Sequence, residues 1–156
     1  MLRPLALALL VISLVGFVDA SYLTLKHYQG EPPTCSILAG CEVVTTSRYA
    51  TIYQIPVALL GALYYLAVFL GAVAYLDTRR EVILRWLARL TVLGFLATLW
   101  FFYLQAFVIG AYCLYCLVSA ATSTLLFVLG IQILYYFKKS AANNKKTPLP
   151  LDEKNL

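Results

Sequence analysis

Four long apolar runs, separated by short polar segments, dominate the pattern along this chain of 156 residues. A helix needs about 20 apolar residues to cross the hydrocarbon core of a bilayer, and each run meets that length. Because hydrocarbon offers no partner for backbone N–H and C=O groups, each run should be a helix. The short connections predict an all-α membrane protein, a four-helix bundle with antiparallel neighbours. The predicted spans are residues 5–25, 55–76, 83–109 and 113–137.

The composition supports a membrane protein. Hydrophobic residues make up 62% of the chain and charged residues only 12%, whereas soluble domains are about 45–50% apolar. A net charge of +5 could indicate a nucleic-acid partner. The basic residues stand at the ends of the apolar runs, however, as they do in membrane proteins, so we expect lipid contacts and no nucleic acid.

The basic residues also predict which helix ends face the cytoplasm. Lys and Arg collect on the cytoplasmic side, and only Lys26 and Arg48 of the twelve lie at the opposite end of the bundle. We therefore expect a multi-pass protein of the cell membrane, with cytoplasmic termini and all four cysteines on the oxidising outer face. The ten basic residues at the inner end are Arg3, Arg79, Arg80, Arg85, Arg89, Lys138, Lys139, Lys145, Lys146 and Lys154.

The chain divides into two parts by composition. Residues 1–137 hold the four spans and form the predicted membrane domain. Residues 138–156 are polar, basic and contain proline, which predicts a disordered cytoplasmic tail.

The cysteines form two pairs. Cys35 and Cys41 lie in the only sizeable polar loop, and Cys113 and Cys116 form a C-x-x-C motif at the start of the fourth run. Gly110 should end the third helix and Cys113 should open the fourth, where first-turn N–H groups and the helix dipole stabilise a thiolate. A spacing of three residues places both sulfurs on one helix face, so they can form a disulfide.

Two cysteine pairs on one side of a membrane predict thiol–disulfide exchange between them. Electrons from a soluble protein would enter at the loop pair and leave from the helix pair into a lipid-soluble acceptor. A membrane quinone is the natural acceptor, since it carries two electrons within the bilayer. Ser119, Ala120 and Ser123 share the face of Cys116 and are small, which leaves room for a ligand.

Three other interpretations of the cysteines stay open at this point. All four could form static bridges on an outer face, or they could bind zinc, since C-x-x-C is a common zinc spacing. They could also be incidental to a four-span scaffold. We expect no metal, because half of such a site would lie in a membrane helix with no further polar ligands in view.

Several polar residues within the spans have both a structural and a functional interpretation. Asp19 could carry protons for quinone chemistry, or it could be an interfacial acid that reaches water. Thr91, Thr98 and Gln105 recur every seven residues and should face the bundle. Gln105, nearest the outer face, is either a helix-pairing group or part of a ligand pocket. Tyr112 belongs to a dense group of outer aromatic residues that could contact a flat ring.

With these residues in view, the chain resembles the vitamin K epoxide reductase family, specifically its prokaryotic quinone-linked members, which act like the DsbB-type disulfide oxidases. The resemblance runs from residues 19–23 to the fourth span. Its most specific marks are Cys35 and Cys41, then Ser47 six residues on, residues 49–56 leading into the second helix, and the motif Cys113-Leu114-Tyr115-Cys116.

The resemblance implies a role for each of these residues. Cys35 would take electrons from a secreted or membrane-tethered thioredoxin-fold partner, and Cys41 would exchange with Cys113. Cys116 would deliver electrons to ubiquinone, menaquinone or a related quinone. Ser47 would position the cysteines or the quinone by hydrogen bonding, and Ala120 occupies the position four residues after the last cysteine.

Two departures from the family pattern refine this expectation. Vertebrate members hold vitamin K with a tyrosine where this chain has Ala120, and with an asparagine in the second helix, which has none here. Plain quinone reduction is therefore expected, with reduction of vitamin K epoxide or quinone as the alternative. Many prokaryotic members carry a fused thioredoxin-like domain, whereas residues 138–156 are a short basic segment, so the partner should be a separate protein.

Overall fold

The computed structural model describes residues 2–31, 33, 40–53 and 55–146 of the chain. Four of its helices are long and apolar enough to cross a membrane, one for each predicted span. The third of them ends in a π-helical segment, Leu104–Ile109. This confirms the predicted four-helix membrane bundle. The four helices are α1 (Leu2–Gln29), α3 (Val57–Thr78), α4 (Glu81–Tyr103, before the π-helical segment) and α5 (Leu114–Lys146).

The loop between α1 and α3 contains structure that the apolar pattern did not predict. A short helix, α2, spans Cys41–Thr45. It is followed by a two-stranded antiparallel hairpin of β1 (Thr51–Ile52) and β2 (Ile55–Pro56). The hairpin runs directly into α3, whose N-cap is Pro56. Proline is tolerated there because a first-turn N–H has no partner within the helix.

Each long helix packs against two neighbours, so the bundle closes on itself. Helix α1 packs on α3 and α5, and α4 packs on the same two helices. Glycines allow the closest approaches, since a β-carbon at Gly16 would collide with the Tyr65 ring, and one at Gly130 would collide with the Thr91 side chain. Gly16 and Ala20, four residues apart on α1, are both buried, so this small-residue face of α1 packs inside the bundle.

The outer surface of the bundle is apolar. Only 11–28% of the residues in the most apolar stretch of each span are buried inside the protein. Large apolar side chains such as Val11, Leu63 and Leu96 are more than half exposed. A soluble bundle of this size would bury such residues, whereas lipid solvates them at no cost.

The C-terminal end of α5 differs from the sequence expectation. The predicted boundary between membrane domain and disordered tail was at residue 137, but the helix continues through Lys146. Residues 138–146 contain no proline or glycine and include Ala141 and Ala142, which favour helix. The first proline beyond the helix is Pro148. The remainder of the predicted tail, residues 147–156, lies outside the described residues.

Candidate redox site

The backbone around Cys113 is held from both sides. The π-helical segment ends at Gly110, whose φ of 67° is left-handed and favours glycine. Residues 111–113 then lead into α5, with Cys113 at its N-cap, as the sequence predicted. The backbone N–H of Cys113 donates to the side-chain oxygen Oε1 of Gln105 at 3.2 Å. Gln105 is buried, so this bond ties the end of one spanning helix to the start of the next.

The start of α5 stabilises a thiolate at Cys113. The Cys116 thiol is the largest influence: its hydrogen bond to Cys113 lowers the pKa of the Cys113 thiol from its ordinary value of 9.0 to about 7. The backbone N–H groups of Tyr115 and Cys116 also donate to this sulfur and lower its pKa, whereas burial and the negative charge of Asp19 raise it. Near neutral pH, Cys113 is therefore poised between thiol and thiolate.

Cys41 lies in the same buried cluster as Cys113. Cys41 is the first residue of α2, is only 1% exposed and is disulfide-bonded. It forms an apolar cluster with Val44 and Cys113, against which Ile109 and Cys116 pack. Cys113 and Cys116 are free thiols. A disulfide and a free dithiol thus share one water-excluded site. Cys35, the other predicted loop cysteine, lies outside the described residues.

A close backbone contact holds α2 against the segment that carries Cys113. Gly40 precedes α2, and a β-carbon at this position would lie 2.6 Å from the carbonyl oxygen of Tyr112. Only a residue without a side chain allows this approach. This approach brings α2, and Cys41 with it, against the segment that carries Cys113.

A cavity of about 1050 Å³ lies beside the cluster, among α1, α3, α4 and α5. Four of the predicted site residues line it: Ser47, Gln105, Cys116 and Ala120. Tyr112, which we expected to bind the cofactor, does not. It is 42% exposed and its ring packs against Phe102 with 6.4 Å between ring centroids. The Cys113 side chain points into the bundle, and in this non-helical segment the side chain of the preceding residue, Tyr112, points outward.

Ser47 lies on the cavity wall but is not bonded to a cysteine. Its hydroxyl donates to the carbonyl oxygen of Val44 at 2.8 Å. This bond satisfies one of the last carbonyl groups of α2 and fixes the end of that helix. In the structure, Ser47 therefore acts on Cys41 only through the helix that begins with it.

Two adjacent tyrosines near the middle of α3 were missed by the sequence analysis. The Tyr65 hydroxyl lies 2.8 Å from the Ser119 carbonyl oxygen, 3.0 Å from the Ser119 hydroxyl and 2.9 Å from the Thr122 hydroxyl. These bonds join α3 to α5. Tyr64 and Tyr65 both line the cavity, but the Tyr64 hydroxyl makes no such bonds within the described residues. The sequence did contain a signal for these two residues, namely their depth in the predicted span, because paired tyrosines in mid-span cannot be interfacial anchors.

Asp19 is partly exposed, but one of its two carboxylate oxygens is not. Its Oδ2 atom is buried and has no hydrogen-bond partner within residues 2–31, 33, 40–53 and 55–146. Its charge acts on Cys113, as noted above. The carboxyl group therefore lies close to the sulfur pair, on the helix that packs against α5.

Comparison with known proteins agrees with this arrangement. The sequence profile of the vitamin K epoxide reductase family matches residues 7–131, which include most of the four spans, Cys41 and the C-x-x-C motif. Comparison with curated proteins gives no match. Members of the family are oxidoreductases and use quinones in general. The chain belongs to the vitamin K epoxide reductase family and is a multi-pass membrane protein with a redox function related to disulfide chemistry.

Proposed function

We propose that the protein is a quinone-dependent thiol–disulfide oxidoreductase that reoxidises a separate thioredoxin-fold protein at the outer face of the cell membrane. One observation carries the proposal. The dithiol Cys113/Cys116 lies between a disulfide-bonded Cys41 and a large cavity, so it has an exchange partner on one side and space for an acceptor on the other.

The first half of the reaction is thiol–disulfide exchange. The partner's dithiol reduces the loop disulfide, which we assign to Cys35 and Cys41, and the partner leaves with a disulfide of its own. The Cys41 thiolate then attacks the Cys113 sulfur of a Cys113–Cys116 disulfide, which forms a Cys41–Cys113 mixed disulfide and releases Cys116. Cys35 next attacks Cys41 and releases Cys113, which closes the loop disulfide again. Two electrons and two protons thereby move from the loop pair to the helix pair.

The second half regenerates the helix disulfide. A quinone supplies an acceptor for two electrons and two protons. Cys116 lines the cavity, which supports its role as the sulfur that delivers them. Cys113, whose pKa is lowered to about 7, forms the new S–S bond with Cys116 as the electron pair leaves. Ala120 has a small side chain, which leaves room for a quinone ring beside it. It therefore supports plain quinone reduction rather than the reduction of vitamin K epoxide.

Quinone reduction by the purified protein tests this proposal. With a reduced thioredoxin-fold protein as donor and a short-chain 1,4-benzoquinone as acceptor, wild type should consume both in equal amounts. Cys116→Ala should abolish quinone reduction, and undiminished turnover in that variant rejects the proposal. Cys41→Ser serves as the matched control for the donor side, because it should abolish oxidation of the partner while leaving the cavity intact.

The orientation is tested separately by labelling intact cells with a membrane-impermeant thiol reagent after reduction. We expect Cys35 to be labelled without permeabilisation, as the distribution of Lys and Arg predicts, whereas Cys41 is 1% exposed and should react slowly. Labelling that requires permeabilised cells would place the site on the cytoplasmic side and contradict the proposed secreted partner.

A further inference from the structure

Two buried hydroxyl groups in the cavity wall have no partner. Ser123 is 3% exposed, and both it and Tyr64 line the cavity. Neither the Ser123 Oγ atom nor the Tyr64 Oη atom has a hydrogen-bond partner in the part of the chain that the structure describes. Buried polar groups are normally bonded because desolvating an unpaired one costs free energy. These two therefore require an explanation.

Neighbouring hydroxyls show that the lack of a partner is specific to this pair. Tyr65, next in sequence to Tyr64, is bonded to three atoms of α5. Thr98, which also lines the cavity, donates to the carbonyl oxygen of Gly94 at 2.9 Å. The cavity wall thus contains hydroxyl groups that have hydrogen-bond partners as well as these two, which have none among the described residues.

The bundle makes room for the phenol group of Tyr64. A β-carbon at Gly94 of α4 would collide with the hydroxyl end of this ring, so α4 is open at that position. Ser123 of α5 lies within interaction range of the Tyr64 hydroxyl, but the two groups do not meet hydrogen-bond geometry with each other. Two donors from different helices, α3 and α5, are therefore brought together at one point on the cavity wall.

The spacing from the redox sulfur fits a flat ring. Cys116, Ala120 and Ser123 follow one face of α5 along the cavity. Seven residues separate Cys116 from Ser123, a rise of about 10 Å along the helix. This distance accommodates a van der Waals contact at the sulfur, the width of a ring and a hydrogen bond at its far side. Ala120 lies between them and has no bulk to block the ring.

We propose that Tyr64 and Ser123 donate hydrogen bonds to the quinone carbonyl oxygen that points away from Cys116, and so set the depth at which the ring binds. The assignment rests on the proposed function, since it concerns the same cavity. A ring carbonyl oxygen is a pure acceptor, and two O–H donors with no other partner match it. A lipid tail would leave both hydroxyls unpaired.

The test is steady-state kinetics on the full chain in lipid nanodiscs, with 2-methyl-1,4-naphthoquinone as acceptor. Tyr64→Phe and Ser123→Ala should each raise KM for the quinone about three- to tenfold, the effect of one lost hydrogen bond, with little change in kcat. Tyr65→Phe is the matched control. It removes a hydroxyl from the adjacent ring, which also lines the cavity but is bonded to α5, so it should change KM less than Tyr64→Phe does while lowering the melting temperature.

Each outcome of this test decides the assignment. An unchanged KM in both variants overturns it, and quinone turnover by wild type would then show that the proposed function still stands. Tyr64→Phe should keep the wild-type melting temperature, because the deleted hydroxyl has no partner. A drop as large as that of Tyr65→Phe would mean that the hydroxyl is bonded within the protein, which also overturns the assignment.

Discussion

The cluster around Cys41 and Cys113 is closed, whereas the cavity beside it is wide and partly polar. In the cluster, Cys41 is 1% exposed, Cys113 is fully buried and the surrounding side chains are apolar. The cavity encloses about 1050 Å³ and has unpaired hydroxyls in its wall, among the residues described. Thiol–disulfide exchange needs sulfurs held in a fixed geometry, while a ligand needs space and donors. Cys116 belongs to both regions and connects them.

The strongest test of this division compares substitutions of the two helix cysteines. In Cys116→Ser, Cys113 should attack the loop disulfide and form a mixed disulfide with Cys41 while Cys35 leaves as a thiolate, and alkylating Cys35 as it is released should trap this species, because Cys116 is no longer present to free Cys113. In Cys113→Ser, no such species should form. Both variants should lose essentially all turnover.

Non-reducing electrophoresis followed by mass mapping of the bridged peptides measures the trapped species. A mixed disulfide between Cys41 and Cys116 in Cys113→Ser, at a yield equal to that in Cys116→Ser, would show that the cluster does not select Cys113.

A second test changes the packing of the cysteine cluster and leaves the residues of the cavity wall unchanged. Gly40→Ala should push α2 away from the Tyr112 carbonyl and slow mixed-disulfide formation in the Cys116→Ser background roughly 10- to 100-fold, since small misplacements of reacting groups have effects of this size. The rate is measured by acid quench and electrophoresis.

Gly61→Ala is the control for this substitution, because its β-carbon would lie at an ordinary 3.8 Å from Ala20. It should leave the rate of mixed-disulfide formation unchanged. An equal loss of rate in both glycine variants would contradict the proposed docking of α2.

The ionisation of Cys113 gives a third, smaller effect. The pKa of Cys113 is lowered to about 7, so the thiolate should appear with a midpoint near pH 7 in the reduced protein, as followed by ultraviolet absorbance. Because the folded-state pKa lies below the ordinary value of 9.0, the associated stability is complete above pH 9 and is lost as the pH falls through 7.

Cys116→Ala removes the largest cause of this shift and should move the midpoint upward. A midpoint that stays near pH 7 in that variant would mean that the helix N-terminus alone stabilises the thiolate.

The smallest expected effect concerns Asp19. Its charge raises the pKa of Cys113, so Asp19→Asn should lower the midpoint by a fraction of a pH unit. Glu31→Gln is the control, because this exposed acid pairs with Lys26 at 2.8 Å, outside the cluster. A midpoint that rises in Asp19→Asn would contradict an electrostatic action of Asp19 on the cluster.

The sequence predicted the features that depend on long patterns or on backbone chemistry. Apolar length predicted the spans, and Gly110 and Cys113 marked the break between α4 and α5 because glycine ends helices and first-turn N–H groups attract thiolates. It did not predict α2 or the hairpin, since segments of two to five residues show no periodicity.

The sequence also did not predict which way side chains point in the irregular segments. Tyr112, for example, does not line the cavity. For Tyr64 and Tyr65, local sequence could not tell which hydroxyl is bonded. The answer lies in Ser119 and Thr122, more than 50 residues away in the chain.

The π-helical segment Leu104–Ile109 has a consequence for how this protein can evolve. A π-helical turn holds more residues than an α-helical one, so it offsets the angular phase of everything that follows. Deleting one residue there could restore α-helical winding while leaving Gly110 and Cys113 close to their present orientation, because the wider turn already absorbs about one extra residue. Natural variation should therefore tolerate loss of a single residue in this stretch better than in the regular part of α4.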